Sequence, residues 1–502
     1  MKSKIKFRHK LKTYSILLSL LLLSSCNDDT KGGKKEEPEP DPPQTEDVTI
    51  FVTTNTRSQD FKKQSASFSK KDNMSPSTIK LESATRHQTM DGFGSAITGS
   101  TCYNLMQMTK ENRHKFLKET FSPTEGMGQS YVRIAIGCSD FSLSEYTCWD
   151  DKNAGFGLTS EETTYVIPIL KEILAINPDL KVMGSPWTPP RWMKVNNLTD
   201  LEPFNSWTGG QLNPGYYADY ADYFVKWIKA FEQQGIKIYS VTPQNEPLNR
   251  GNSASLFMGW QEQLEFVKNH LTTKFKNASL KTKVYLFDHN YNYDNMGDQN
   301  DYPVKIYDAG IDDEVVAGAA YHNYGGDKSE LLDIHAKYPN KELVFTETSI
   351  GTWNDGRNLG ARLIEDMREV ALGTVNNWCK GVIVWNLMLD TERGPNREGG
   401  CQTCYGAVDI DKSNYSTITK NSHYYIIGHL SSVVKPGAVR IGTSGFNETG
   451  FYFSAFENSD GTFAVVLLNS NALNKVITIS DGKNHFSYDV PAKSVISYRW
   501  KK

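Results

Sequence analysis

The sequence predicts a (β/α)8 barrel, an α/β fold, with a side β-sandwich built from both ends of the chain. Three observations predict it. Short apolar strands alternate with longer amphipathic stretches from Met90 to about Leu389, polar residues collect where those strands end, and strands of period two follow after about Asn421. The chain has 502 residues, 38% hydrophobic and 23% charged, which is enough for a large core and more than one folded unit.

The N-terminus predicts a targeting segment. Met1–Lys12 carries several Lys and Arg, and Tyr14–Leu23 is an apolar run too short to span a bilayer comfortably. Leu23-Ser24-Ser25-Cys26 resembles a bacterial lipobox, in which the cysteine is acylated and becomes the first mature residue; an ordinary cleaved signal peptide is the alternative. We therefore expect a secreted lipoprotein, tethered at Cys26 to the outer membrane or cell surface, with the periplasmic face also open.

The next segment has the composition of a spacer. Residues 27–47 are rich in Lys, Glu, Pro and Gly without apolar periodicity, which predicts a disordered linker. The predicted division is then a signal peptide at 1–26, the linker at 27–47, the N-terminal part of the sandwich at 48–85, the barrel at 86–420 and the C-terminal sandwich at 421–502.

Charge argues against a nucleic-acid partner, and cysteine spacing argues against a metal site. A formal net charge of −3 and the lack of a basic tract beyond the N-terminus argue against nucleic acid. Cys401 and Cys404 form a lone CxxC, so a disulfide or free thiols are favoured over a metal site. No metal or nucleotide motif is evident, so no cofactor is expected. The oligomeric state is not indicated.

Eight strand candidates fall within about 300 residues, the number that a (β/α)8 barrel needs. Amphipathic stretches such as Tyr217–Gln234 and Trp260–Lys274 lie between them and predict the outer helices. The strand candidates are Met90–Ile97, Tyr131–Gly137, Lys181–Ser185, Ile238–Gln244, Val284–Asp288, Val315–Tyr321, Leu343–Glu347 and Gly381–Leu387.

Polar and aromatic residues follow seven of these strands. A (β/α)8 barrel builds its active site at the carboxyl ends of its strands, and the same bias at seven strand ends is hard to attribute to chance. These residues are Ser139-Asp140, Pro186-Trp187, Asn245-Glu246, His289-Asn290, His322 with Tyr324, Glu347, and Trp385-Asn386.

Glu246 and Glu347 are the candidate catalytic residues, because they follow strands four and seven and so face each other across the barrel mouth. Carboxyl groups ~5–5.5 Å apart would allow direct attack on an anomeric carbon with retention, whereas ~6.5–9.5 Å would leave room for the water of an inverting hydrolase. One group must hold a proton near neutral pH and the other must stay ionised. Tyr324 is a candidate to hydrogen-bond Glu347, and Asn245 to bind a sugar 2-hydroxyl.

Several motifs in order resemble glycoside hydrolase family 30, from about residue 80 to the C-terminus. The resemblance implies a barrel with a side sandwich, retention of configuration, Glu246 as acid/base and Glu347 as nucleophile. It also implies that Asp140, Trp187, Asn245 and Trp385 surround the sugar. The motifs are Asp91-Gly92-Phe93-Gly94-Ser95-Ala96, Arg133-Ile134, Ser139-Asp140-Phe141-Ser142, Ser185-Pro186-Trp187-Thr188-Pro189-Pro190-Arg191-Trp192-Met193-Lys194, Asn245-Glu246-Pro247, Phe345-Thr346-Glu347 and Trp385-Asn386-Leu387.

Two positions depart from the family pattern. Ser95 stands where the family often has Gly, and Asn323 stands where it often has Trp. The second departure alters the expected pocket wall. His289 and His322 are expected to be hydrogen-bonding residues of that wall rather than metal ligands.

The substrate prediction depends on the segment from Leu389 to Cys404, which resembles the glucosylceramidase and β-1,6-glucanase branches more than the xylanase branch. A tethered enzyme facing outward suits polysaccharide degradation, so we favour an endo-β-1,6-glucanase acting on β-glucan polysaccharide or oligosaccharide. An exo-acting β-glucosidase or glucosylceramidase-like enzyme is the alternative within the family. A surface glycan-binding protein without catalysis is the alternative outside it.

Overall fold

The computed structural model describes residues 46–70, 74–291 and 296–502. The predicted signal peptide, Cys26 and the linker as far as residue 45 lie outside these ranges. Within them, no helix is both long and apolar enough to cross a membrane.

Eight parallel strands close into a barrel, which confirms the predicted fold. Each strand pairs with the strands before and after it in the chain, and the eighth pairs with the first. In order, the barrel strands are Gly92–Ala96, Tyr131–Ala135, Lys181–Ser185, Ile238–Val241, Lys283–Asn290, Val316–His322, Glu342–Glu347 and Cys379–Asn386.

Helices connect the barrel strands and cover the outside of the barrel. Helix Tyr217–Gln233 shows how closely they pack: a Cβ on Gly184 of strand three would lie 2.7 Å from the indole of Trp227, so this contact requires glycine. The α-helices are Gly99–Gln107, Lys110–Phe121, Ile167–Ile176, Tyr217–Gln233, Trp260–Phe266, Thr272–Asn277, Tyr302–Asp308, Glu330–Lys337, Leu359–Asp366, Leu372–Asn376 and Ser422–Ser431. Three helical stretches contain π turns, at Glu162–Val166, Val267–Leu271 and Met367–Ala371.

The barrel interior changes from apolar to polar along the strands. Tyr131, Met183, Tyr285, Ala320, Val344 and Ile383 form one buried layer. Side chains of a strand alternate between its two faces, so the residue two positions later points inward again, one layer nearer the carboxyl ends. That next layer contains Arg133, Ser185, His322, Thr346 and Trp385. The barrel therefore carries its polar groups directly beneath the carboxyl ends of its strands.

A nine-stranded sheet forms the second unit and uses both ends of the described chain. Val48–Thr54 pairs antiparallel with Ser494–Lys501, as the predicted joining of the termini requires. Phe486 packs edge-on against Trp500, with ring centroids 5.2 Å apart, so strands from the two halves of the sheet enclose one core. The strand order is Lys62–Ala66, Val48–Thr54, Ser494–Lys501, Thr462–Asn469, Phe451–Glu457, Val439–Gly445, Thr78–Thr89, Lys475–Ser480 and His485–Val490.

The prediction that period-two strands begin after about Asn421 was wrong for the first residues. Ser422–Ser431 is a helix, and the first C-terminal strand of the large sheet begins at Val439. All ten helical residues are buried, so the sequence shows no polar face by which to recognise a helix. Tyr424 of this helix hydrogen-bonds Thr120 and stacks on Phe116, which places it against the barrel helices.

Candidate active site

The two predicted glutamates converge at the carboxyl ends of the barrel strands. Glu347 is the last residue of strand seven, and Glu246 lies in the turn after strand four with a left-handed backbone, φ +44°. One carboxylate oxygen of each glutamate and one ring nitrogen of His322 all lie within 4.8 Å of one another. This short separation suits direct attack with retention and leaves too little room for the water of an inverting mechanism.

Glu347 is held at both oxygens. Arg133 donates from Nη1 to Oε2 across 2.6 Å, and the Tyr324 hydroxyl donates to Oε1 across 3.0 Å, the contact that the sequence predicted for Tyr324. Burial raises the pKa of Glu347, and the negative charge of Glu246 adds to this; the positive charges of His322 and Arg133 oppose it without cancelling it. Neither donor releases a proton readily, since the pKa of each lies above its usual range.

Glu246 has different neighbours. His322 contacts Oε1 through Nδ1 at 3.2 Å, and Oε2 accepts hydrogen bonds from Asn249 and Asn252 across 2.7 and 3.2 Å. Burial alone would raise the pKa of Glu246, but the His322 hydrogen bond, the neighbouring histidines and Asn249 lower it to about 2. At neutral pH Glu246 is therefore an anion in contact with the imidazole of His322.

His322 links Glu246 to a buried aspartate. Its Nε2 lies 3.0 Å from Oδ1 of Asp288. Burial lowers the pKa of His322, but the charge of Glu347 and the hydrogen bonds to Asp288 and Glu246 outweigh it and raise that pKa to about 9. The ring is therefore protonated at neutral pH and donates from both nitrogens.

Sequence reasoning missed Arg133 and Asp288 as site residues, although both are fully buried at its centre. Besides Glu347, Arg133 donates to Asn245, Asp288 and Ser185 across 2.7, 2.8 and 3.1 Å. The sequence contained a signal for this role of Arg133. An arginine inside the apolar strand Tyr131–Ala135 must be paired with an anion to be buried. Arg133 lowers the pKa of Asp288 against the effect of burial, as does His322.

A cavity of about 340 Å³ opens above these groups. Seven of the nine predicted catalytic or substrate-binding residues line it, namely Asp140, Trp187, Glu246, His289, Tyr324, Glu347 and Trp385. The other two, Asn245 and His322, lie beneath it in contact with Arg133 and Glu246. Asn249, Asn252 and Trp353 also line the cavity and were not predicted.

Three of the predicted wall residues have distinctive environments. Burial raises the pKa of Asp140 to about 7, with the charges of Glu347 and Glu246 contributing. Trp187 and Trp385 stack with ring centroids 5.3 Å apart, and the Arg133 guanidinium lies over the Trp187 ring at 4.9 Å. Both indoles are nearly buried, so only a small part of each ring is exposed to the cavity.

The loop after strand eight closes one side of the cavity. Cys401 and Cys404 form a disulfide there, with Cα atoms 5.9 Å apart, while the other cysteines of the described chain are buried free thiols. Arg397 of the same loop donates to the carbonyl oxygens of Ser139 and Ser253 across 2.7 and 2.6 Å. This arginine therefore joins three loops around the site.

Family comparison agrees with this geometry. Residues 90–434 match the glycosyl hydrolase family 30 TIM-barrel domain, and residues 437–498 match the family 30 beta sandwich domain. The chain belongs to glycoside hydrolase family 30. It is a retaining glycoside hydrolase, and the close approach of its two glutamates agrees with that.

Similar proteins of known structure or curated function span most of this family 30 chain. The solved structure of the endo-beta1,6-glucanase BT3312 is 65% identical with a TM-score of 0.89, covering 91% of this chain and 100% of that one. The endo-1,6-beta-D-glucanase BGN16.3 of Trichoderma harzianum is 32% identical over 82% of this chain and 84% of its own length. The lysosomal acid glucosylceramidase of Mus musculus is 26% identical over 84% and 83%.

Proposed function

We propose that the protein is an endo-β-1,6-glucanase that cleaves β-1,6-glucan by double displacement. The observation that carries the proposal is the high identity, over nearly the whole folded chain, to the solved endo-β-1,6-glucanase. The mouse glucosylceramidase shares much less of its sequence with this chain. The open cavity and its hydroxyl-binding lining suit a neutral sugar chain.

In this proposal Glu347 is the nucleophile. Attack on the anomeric carbon requires a fixed and ionised carboxylate, and Arg133 and Tyr324 hold both of its oxygens with protons that they do not give up. The resulting bond joins the sugar to Glu347 with inverted configuration. Water then breaks that bond from the opposite face, so the product has the configuration of the substrate.

Glu246 is the acid/base, because among the groups that contact the two glutamates only His322 titrates in the accessible range, and it touches Glu246. The raised pKa of His322 and the low pKa of Glu246 favour the proton on His322, the reverse of what the first step needs. The Nδ1–Oε1 hydrogen bond carries the proton to Glu246 once the leaving glucosyl oxygen replaces water beside it. Glu246 then protonates that oxygen and later removes a proton from the attacking water.

The opposite assignment, with Glu246 attacking and Glu347 donating, would follow from the order of the two carboxyl pKa values alone. The two assignments predict different products when azide replaces the missing carboxylate. For the roles proposed here, Glu246→Ala with azide gives a β-glucosyl azide, because azide attacks the glucosyl-enzyme. Glu347→Ala with azide gives an α-glucosyl azide, because azide attacks the substrate directly. If each variant instead gave the azide expected of the other, Glu246 would be the nucleophile and Glu347 the acid/base.

Product analysis of residues 27–502 tests the substrate. The panel is β-1,6-glucan, β-1,3-glucan, xylan and an aryl β-glucoside. Release of short β-1,6-linked oligosaccharides from the first polymer, with the other two polymers untouched, is the expected result. Glucose released only from the aryl glucoside would retain the two-glutamate chemistry and overturn the endo-glucanase proposal.

We also propose that the enzyme is exported and anchored through lipid at Cys26. The support is the run from the charged N-terminus to Leu23-Ser24-Ser25-Cys26, followed by the spacer composition of residues 27–47. Full-length protein expressed in a bacterial host should partition with membranes and be labelled by a fatty-acid probe, and Cys26→Ala should remove the label. A Cys26→Ala protein that still carries the probe would contradict the anchor.

A further inference from the structure

Trp353 is an exposed aromatic residue at the edge of the active-site cavity. It is 51% exposed, the most exposed tryptophan in the described chain. Its side chain borders both the active-site cavity and a second cavity of about 320 Å³, and Tyr324 is the other residue common to the two. The two cavities are therefore neighbours that share these two aromatic side chains.

The backbone around Trp353 holds the indole in one position. Ile350–Gly351 pairs antiparallel with Cys404–Tyr405, and Thr352 donates its N–H to the Thr403 carbonyl across 3.0 Å. A Cβ on Gly351 would lie 1.9 Å from the Trp353 ring, so the ring occupies space that only glycine leaves open. Trp353 is thus packed on a glycine and supported by the loop that carries the disulfide. This support distinguishes it from an isolated apolar side chain on the surface.

The second cavity is lined by hydrogen-bonding groups. Its charged side chains are largely paired with one another, for example Arg362 with Glu365 at 3.0 Å and Lys328 with Glu369. The hydroxyl of Tyr291, a residue only 2% exposed, and Nε of Arg362 have no hydrogen-bond partner in the described chain. Buried polar groups of this kind need a partner, and a ligand entering the cavity can supply it.

The residues that line the second cavity favour a neutral ligand that carries hydroxyl groups. Four carboxylates and two cationic side chains border the cavity, so an anion such as a phosphate would meet net repulsion. Burial lowers the pKa of His423 to about 4, so this histidine adds no positive charge at neutral pH. Paired carboxylates and amides bind neutral hydroxyls well, and an exposed indole offers an apolar face to the C–H side of a sugar ring.

We propose that Trp353 is the platform of a second sugar subsite, which takes the glucosyl unit adjoining the one bound over Glu347. A β-1,6 linkage has an additional rotatable bond at C6, so the next unit of the chain can turn around the aromatic edge into the neighbouring cavity. The subsite rests on the proposed function, because it presumes a substrate chain longer than one sugar. It explains how the enzyme gains binding energy from chain interiors rather than from a terminal residue alone.

The test compares two substrates that differ only in whether they reach Trp353. β-1,6-linked glucotetraose reaches both cavities, whereas β-glucosyl fluoride fills only the subsite of the cleaved sugar and has a leaving group too small to stack. Trp353→Ala should lower the ratio of kcat/KM for tetraose to kcat/KM for fluoride at least about tenfold, the size of effect typical of a dominant aromatic contact. Trp353→Phe should restore part of the ratio.

Two further variants separate this role from general damage. Gly351→Ala displaces the indole without removing it and should lower the same ratio. Tyr452→Ala removes a comparably placed exposed aromatic on the large sheet, 37% exposed, and should leave the ratio unchanged. An unchanged ratio in Trp353→Ala, with tetraose still cleaved, would overturn the subsite alone. Wild-type enzyme that hydrolyses the fluoride but not the tetraose would overturn the proposed substrate and the subsite together.

Discussion

Arg133 on barrel strand two and Glu347 on strand seven form a buried ion pair across the barrel, with 2.6 Å between Nη1 and Oε2. The same guanidinium binds Asp288 and the side chain of Asn245, the neighbour of Glu246. One cation therefore fixes the proposed nucleophile and the residue beside the proposed acid/base. The positions of Glu347 and Asn245 thus depend on a charge network inside the barrel.

Replacing Arg133 tests this network. Arg133→Met leaves Asp288 and Glu347 buried without their cation, so the free energy of unfolding should fall by about 3–5 kcal/mol. The loss should be smaller at low pH, where protonation of the carboxylates removes the uncompensated charge. Urea unfolding at two pH values measures both effects.

The control for that variant is Arg113→Met. Arg113 is also buried, but its partner Glu172 is one third exposed on the outer helices, so water can stabilise the carboxylate left behind. The fall in the free energy of unfolding should be clearly smaller for Arg113→Met than for Arg133→Met, and less dependent on pH. Equal losses for the two variants would show that the network in the barrel contributes no special stabilisation.

The pKa of His322 predicts how stability depends on pH. Its folded-state pKa of about 9 lies above the ordinary value of 6.5, so the protonated ring stabilises the fold fully below about pH 6.5. That contribution is lost as the pH rises through about 9. The stability difference between wild type and His322→Gln, from urea midpoints between pH 6 and 10, should therefore shrink towards alkaline pH.

His429→Gln is the matched control. His429 is equally buried and hydrogen-bonds Ser497 and Thr53 at 2.8 Å each, but burial lowers its pKa to about 3. It is neutral throughout that pH range, so its stability difference should be constant. If the stability difference for His322→Gln were as independent of pH as that for His429→Gln, His322 would not be charged in the folded protein.

Glu246→Gln tests the acid role. Loss of the donor should slow cleavage of unactivated β-1,6 bonds at least about 100-fold, while the first step on a dinitrophenyl β-glucoside, whose leaving group needs no proton, should be largely spared. Pre-steady-state release of dinitrophenol measures that step. Glu262→Gln, a buried glutamate outside the cavity, should affect both substrates alike. Equal loss on both substrates in Glu246→Gln would contradict the assignment.

The sequence predicted most of the fold and the site because both depend on periodic patterns. Eight apolar runs define the barrel strands, and the residues that end them, such as Glu246 and Glu347, gather at one face whatever the details of packing. Helix Ser422–Ser431 was misread because it is buried all round and shows no helical face.

Arg133 and Trp353 were missed as site residues for different reasons. Arg133 sits inside a strand rather than at its end, and its role depends on anions contributed by strands five and seven. Trp353 lies on a short turn whose position depends on pairing with a loop about fifty residues later in the chain. Such long-range pairings are not encoded in local periodicity, so they require the folded structure.

The central claim is that Glu347 forms the covalent bond to the sugar, and trapping that bond tests it most directly. A 2-deoxy-2-fluoro-β-glucosyl fluoride reacts with the nucleophile but slows release of the glucosyl-enzyme, so peptide mass spectrometry can locate the label. The label is expected on the peptide that contains Glu347, and it should be absent in Glu347→Gln. A label on Glu246, or no label in an enzyme whose product shows inverted configuration, would contradict the mechanism.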